Sequence, residues 1–294
     1  MRPPMTSSTK SIARVIEAPQ PHWVGDGFYV RPLFADLAFT PDISPFLMFD
    51  YAAPVEFPPS QTPPGVGPHP HKGFETVTIV YAGEVEHRDS AGHSGTIGVG
   101  DVQWMTAGSG LLHQEFHSHE AAKRGGVVSM AQLWVNLRKS DKSAAPRYQD
   151  IRASDIPNVT VPNGSGTVRV IAGSFEGASG PADTFTRMDV LDMRLKAGDR
   201  FTLTQQDGDT ALVNVLSGRV KLNGTQEIAA SRFVALSQEG TQFEIEALED
   251  SLVLFLGGEP IEEPIAAYGP FVMNTQDEIR QAIMDFRAGK MGVL

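Results

Sequence analysis

Two pairs of residues carry the chemistry in this chain. His69 and His71 stand one residue apart in PHPHKGFETV, and His113 and Glu115 do the same in LLHQEF, 42 positions after His71. In a β-strand, residues i and i+2 project to the same face. Each pair therefore points one way if its segment is extended, and two such strands side by side in a barrel bring three imidazoles and one carboxylate together. That donor set suits a divalent transition metal.

An isolated H-x-H is as compatible with loop-capping or core-bonded histidines as with metal. Two pairs of matching parity, the second following the glycine-rich GSGLL, favour the metal site. His117 and His119 continue the parity of the second pair. Same-face residues advance by about 6.6 Å along a strand, however, so one ion with ligands at about 2.0 to 2.2 Å cannot collect all four. These two are assigned to the surface. His87 and His93 flank the turn HRDSAGHSG and read as solvated loop residues, and His22 carries no signal. Glu75 is a rival carboxylate, because H-x-H followed by three residues and Glu is a familiar β-barrel metal pattern. The bend expected at Gly73 leaves its parity open.

The elements that must position these residues are strands. Runs such as ETVTIVYAG, VVSMAQLWVNL, TVRVIAG, ALVNVLSGRVKL and SLVLFLGG are rich in β-formers and punctuated by 29 glycines and 21 prolines, the pattern of a sandwich or barrel. TIVYAGEVEH followed by GDVQWMTAG echoes LVNVLSGRVKLNG followed by SRFVALSQEG, which suggests one β fold used twice. A polar, irregular stretch from Arg138 to Gly166 marks the linker, giving domains 1–145 and 146–294. All eight histidines precede it, so only the first domain can hold a histidine metal site. At the C-terminus, Thr275 and Glu278 form a capping box for a short helix with Ile279, Ile283 and Phe286 on one face and Gly289 as its stop. The first thirty residues read as a first strand plus a mobile tail.

Composition narrows the functions. With no cysteine, disulfides, thiolate zinc sites, iron-sulfur clusters and cysteine nucleophiles are excluded, and any metal must be held by His, Asp or Glu. A net charge of −11 with no basic cluster repels a phosphate backbone, which argues against direct nucleic-acid binding. No segment has the signature of a signal peptide or of a membrane span, so a cytoplasmic protein is expected, with a monomer as the default.

PHPHKGFETV, GDVQWMTAGSGLLHQE, QLWVNL and GPFVMNTQDEIRQAIMDF, in that order, resemble the pirin family of the cupin superfamily from about Val30 to the C-terminus. The resemblance implies an all-β bicupin, two tandem jelly-roll β-barrels with a short C-terminal helix and one non-haem iron in the N-terminal barrel. Carried over residue by residue, the family's ligands fall on His69, His71, His113 and Glu115, which leaves Glu75 as a neighbour or pocket residue. FHSHEAAKRGG departs from the family and receives no role.

Some pirins resemble quercetin 2,3-dioxygenases, opening a flavonol with dioxygen and releasing carbon monoxide. On that reading the cofactor is Fe(II), with Mn, Ni, Cu or Co also tolerated by the ligand set. Small aromatic substrate and dioxygen are the partners, Glu115 takes the substrate proton, and Phe46, Phe49, Trp104 and Phe116 are candidates for the pocket wall. The alternative is a non-enzymatic, metal-dependent regulator that binds transcription factors or metabolic enzymes.

Overall fold

The computed structural model describes residues 8–35 and 40–294, and these form two β units, each made of a seven-stranded and a four-stranded antiparallel sheet. The tail expected at the N-terminus lies in residues 1–7, outside the described residues, whereas the expected first strand is present as Ile12–Glu17.

The histidine-bearing unit comprises residues 19–35, 46–155 and 261–294. Its large sheet runs, in lateral order, Arg147–Ile151, Val102–Thr106, Phe74–Ala82, Gly126–Asn136, Phe46–Phe57, Phe28–Phe34 and His22–Val24. Its small sheet runs Gly65–His71, Leu111–His117, Val85–Asp89 and Ser94–Ile97. Phe28, Val30, Ala52, Val80, Val85, Ile97 and Met130 pack together as an apolar plug. Leu47, Phe74 and Val272 form a separate cluster against Trp134. Polar side chains occupy the interior between the two, an arrangement that keeps the donors out of bulk water without stranding them in hydrocarbon.

The other unit comprises residues 8–18, 40–45 and 156–260 and repeats the same seven-plus-four layout. In the first unit the strands Gly65–His71 and Leu111–His117 pair so that His69 faces His113 and His71 faces Leu111. The matching pair here, Arg200–Thr204 and Gln242–Ala247, sets Leu203 against Phe243 and Phe201 against Ile245. All four side chains belong to a buried apolar core. The second barrel thus fills with hydrocarbon the volume that the first fills with imidazole.

The expected division into 1–145 and 146–294 needs correction at both ends. Arg147–Ile151 pairs with Val102–Thr106 as the edge strand of the histidine unit, so the cut falls after Asp155. Ile12–Glu17 supplies the corresponding edge of the other unit by pairing with Arg232–Leu236. Residues 261–294 return to the histidine unit, where Phe271–Met273 and the helix Gln276–Arg287 pack with Met291 and Leu112. The Thr275–Glu278 capping box is formed, with Ile279 and Ala282 as the buried face. Phe286 remains 41% exposed, so the helix buries one turn less than its periodicity suggests.

Lys142 ties this returning segment to the histidine strand. Its buried ammonium donates to Gly73 O at 2.8 Å, Asn136 Oδ1 at 2.6 Å and Val272 O at 3.1 Å, and burial lowers its pKa to about 8. Gly73, which bends the chain just after His71, has φ +88°, and a Cβ there would meet Val272 O at 2.0 Å. Only glycine serves at that bend.

Candidate metal centre

The bend at Gly73 and the antiparallel pairing of Gly65–His71 with Leu111–His117 bring His69, His71 and His113 together, with one nitrogen from each within 4.8 Å of the others. Ring centroids lie 4.9 Å apart for His69 and His71, 4.2 Å for His69 and His113, and 4.7 Å for His71 and His113. His69 accepts its orientation from the backbone: its Nδ1 bonds the carbonyl of Gly67 at 2.8 Å, which leaves Nε2 free to face the other two rings. His71 edges against Phe74 at 5.1 Å and Trp134 at 5.3 Å, so packing rather than hydrogen bonding fixes its plane.

His71 and His113 are buried, and burial holds both imidazoles well below the usual histidine pKa, with the neighbouring imidazoles adding to the depression. Both are therefore neutral with a lone pair to offer. His71 Nδ1 and both ring nitrogens of His113 have no hydrogen-bond partner among the described residues. Three converging rings, two of them buried with unpartnered nitrogens, fit a cation and would otherwise cost stability. These three can hold a metal.

Glu115 is the nearby carboxylate, with Oε2 4.0 Å from His113 Nε2. Burial pushes its carboxyl up, while His69, Gln132 and Thr78 pull it down. Gln132 Nε2 donates to Oε2 at 3.1 Å, and Thr78 Oγ1 lies at the limit of bonding to Oε1, 3.5 Å away. Both reach it because Thr78 and Gln132 are cross-strand partners on the facing sheet. Gln103 is the next partner in that row and meets His87 through its amide.

Glu75 falls on the opposite face of its strand. Phe74 and Thr78 project toward the imidazoles and Glu115, so Glu75, one residue from the first and three from the second, points away and accepts from Thr106 Oγ1 at 2.7 Å. Its carboxylate is not among the groups that converge on the imidazole cluster. His117 is another correction: it is buried, its Nε2 bonds Gly27 O at 2.8 Å, and its ring packs on Phe57 at 4.6 Å. His87 is buried as well, directly opposite Glu115 and stacked on Tyr148. His93 and His119 are exposed, as expected, and so is His22.

Of the four pocket-wall candidates, Phe49 and Trp104 are fully buried and share the outward parity of Glu75, and Phe116 alternates away from Glu115. Phe46 is fully buried. The aromatic rings that do touch the histidines are Phe74 and Trp134, both inside motifs visible in the sequence. Gln132, Thr78 and Asp50 were not singled out, because only the register across the sheet reveals them.

The pirin family model matches residues 27–135, and the model of the pirin C-terminal cupin domain matches residues 190–292. The chain is 51% identical over 269 residues to a Pseudomonas aeruginosa protein named "Putative quercetin 2,3-dioxygenase PA2418", covering 92% of this chain and 94% of that protein. It is 38% identical over 257 residues to human Pirin, covering 85% and 84%. A crystal structure of quercetin 2,3-dioxygenase from Acinetobacter baumannii superposes with a TM-score of 0.95 at 49% identity over 97% of this chain and 99% of that one. Among the described residues no helix is long and apolar enough to cross a membrane. Two like barrels, an imidazole triad in the first alone and relatives matched along most of their length make this chain a member of the pirin family, a bicupin.

Proposed function

We propose that the chain is a metal-dependent dioxygenase of the pirin type that opens the ring of a flavonol such as quercetin, with His69, His71, His113 and Glu115 holding one Fe(II). The observation that carries this reading is the convergence of three imidazoles, two of them buried with ring nitrogens that have no partner among the described residues, beside a steered carboxylate. His69, Gln132 and Trp134 are partly exposed, so the cluster is open on their side. Four protein ligands on an ion that prefers five or six leave room for a substrate oxygen.

When bound, iron supplies Lewis acidity toward the substrate hydroxyl and a one-electron couple between flavonol and dioxygen. The protein's own groups do the rest. Glu115, whose proton affinity burial raises, takes the proton of the flavonol 3-hydroxyl and returns it to the ring-opened product. Gln132 and Thr78 keep its carboxylate oriented, and Phe74 and Trp134 pack against the His71 ring and hold its plane. One dioxygen enters and one carbon monoxide leaves, so no external reductant is needed. The names of the Pseudomonas and Acinetobacter relatives support the same chemistry.

The test is anaerobic loading with Fe(II), then addition of quercetin in air while flavonol absorbance and headspace carbon monoxide are followed. Metal-dependent bleaching with one carbon monoxide per flavonol, absent in His113→Ala, supports the proposal. A fully loaded protein that leaves quercetin intact overturns it in favour of metal-dependent partner binding.

A further inference from the structure

The polar row across the barrel interior continues past Gln132. Asp50 is its direct partner on the strand Phe46–Phe57 and so projects into the same interior. The two sheets keep the same lateral order: Gln103 meets His87, Thr78 and Gln132 meet Glu115, and the next strand in each sheet carries Asp50 and His69 respectively. Asp50 therefore lies on the side of His69, the partly exposed ring of the triad, about 5 Å (one strand spacing) beyond Gln132.

Its chemistry there is unusual. Asp50 is 8% exposed, yet its Oδ1 has no donor among the described residues. Burial raises its carboxyl to about 6, and the imidazole of His22 offsets this only in part. Other buried aspartates of the chain have evident work: Asp89 accepts from the amides of Ala91 and His93, Asp192 pairs with Arg169, and Asp199 accepts from Ser165 and Gly166. Asp50 has none of these duties. A buried acceptor without a donor reduces stability, and such groups persist where a ligand completes them.

We propose that Asp50 is a specificity residue of this site: its Oδ1 accepts a hydrogen bond from a second hydroxyl of the substrate, remote from the oxygen at the metal. The site then selects polyhydroxylated aromatics over those with the 3-hydroxyl alone. This deepens the dioxygenase reading and rests on it.

The test pairs two flavonols, quercetin and 3-hydroxyflavone, with iron-loaded wild type and the near-isosteric Asp50→Asn. Anaerobic equilibrium binding is read from flavonol absorbance, and KM and kcat from turnover in air. Asp50→Asn keeps an acceptor oxygen but loses the charge, so it raises the Kd and KM of quercetin about tenfold, the difference between a hydrogen bond to a charged and to a neutral acceptor, and leaves kcat and metal content unchanged. The constants for 3-hydroxyflavone do not move. If wild type turns over both flavonols and the substitution affects them equally, or affects neither, the assignment of Asp50 is overturned and the dioxygenase reading stands. If loaded wild type binds neither flavonol, that reading fails and takes this inference with it.

Discussion

Asp50→Asn should stabilise the metal-free protein, and its pH dependence can be worked from the structure. The carboxyl sits at about 6 in the fold against an ordinary value of 3.8. Two units correspond to about 3 kcal/mol against folding once the group is ionised. The direction follows from proton counts: between about pH 4 and 6 the folded chain retains a proton that the unfolded chain has released, so stability falls as pH rises through that window and stays lowered above it. Asparagine removes the cost of burying charge but leaves an amide short of partners, at about 1 kcal/mol. The net gain is about 2 kcal/mol at pH 7.5, or about 4 to 8 °C in Tm for a unit of this size, shrinking to nothing or a small loss below pH 4. All three tryptophans, Trp23, Trp104 and Trp134, lie in the histidine unit, so tryptophan fluorescence during thermal unfolding reads that unit alone. A gain that is independent of pH between 4 and 7.5, or a loss of stability at pH 7.5, refutes the claim that Asp50 is a buried, uncompensated carboxylate.

Three further outcomes follow from the same geometry. Gly73→Ala sets a Cβ 2.0 Å from Val272 O at a positive φ, so it should cost at least 2 kcal/mol in chemical denaturation and weaken metal retention by displacing His71. Gln132→Leu removes the amide that steers Glu115, and metal affinity measured by chelator competition should fall about 10- to 100-fold with the fold intact. Stripping the metal with a chelator should lower Tm of the tryptophan-bearing unit, because an ion present at a thousandfold its Kd contributes about 4 kcal/mol to the state that binds it.

Strand periodicity made the imidazole grouping legible in the sequence. H-x-H and H-x-E have one spatial reading once the segments are known to be extended, and the structure brings the three rings within bonding range of one ion. The same rule could not decide Glu75, because Gly73 interrupts the strand between it and His71. Nor could it see that His87 and His117 are buried, since their environment comes from strands distant in sequence: Gln103 and Tyr148 for one, Gly27 and Phe57 for the other. The polar stretch after Arg138 has the local pattern of a linker although it contains the edge strand Arg147–Ile151, whose partners are 41 to 49 residues upstream. Gln132, Thr78 and Asp50 form a row only through register, a long-range property that local pattern does not encode.

The central claim is that one metal ion sits on His69, His71, His113 and Glu115. Anomalous diffraction from crystals of the iron-loaded protein, collected on either side of the iron absorption edge, tests it most directly. A single peak per chain is expected, inside the histidine barrel and about 2.0 to 2.2 Å from three imidazole nitrogens and a Glu115 oxygen. A peak ligated by Glu75, or one lying within the apolar core of the second barrel, would contradict it.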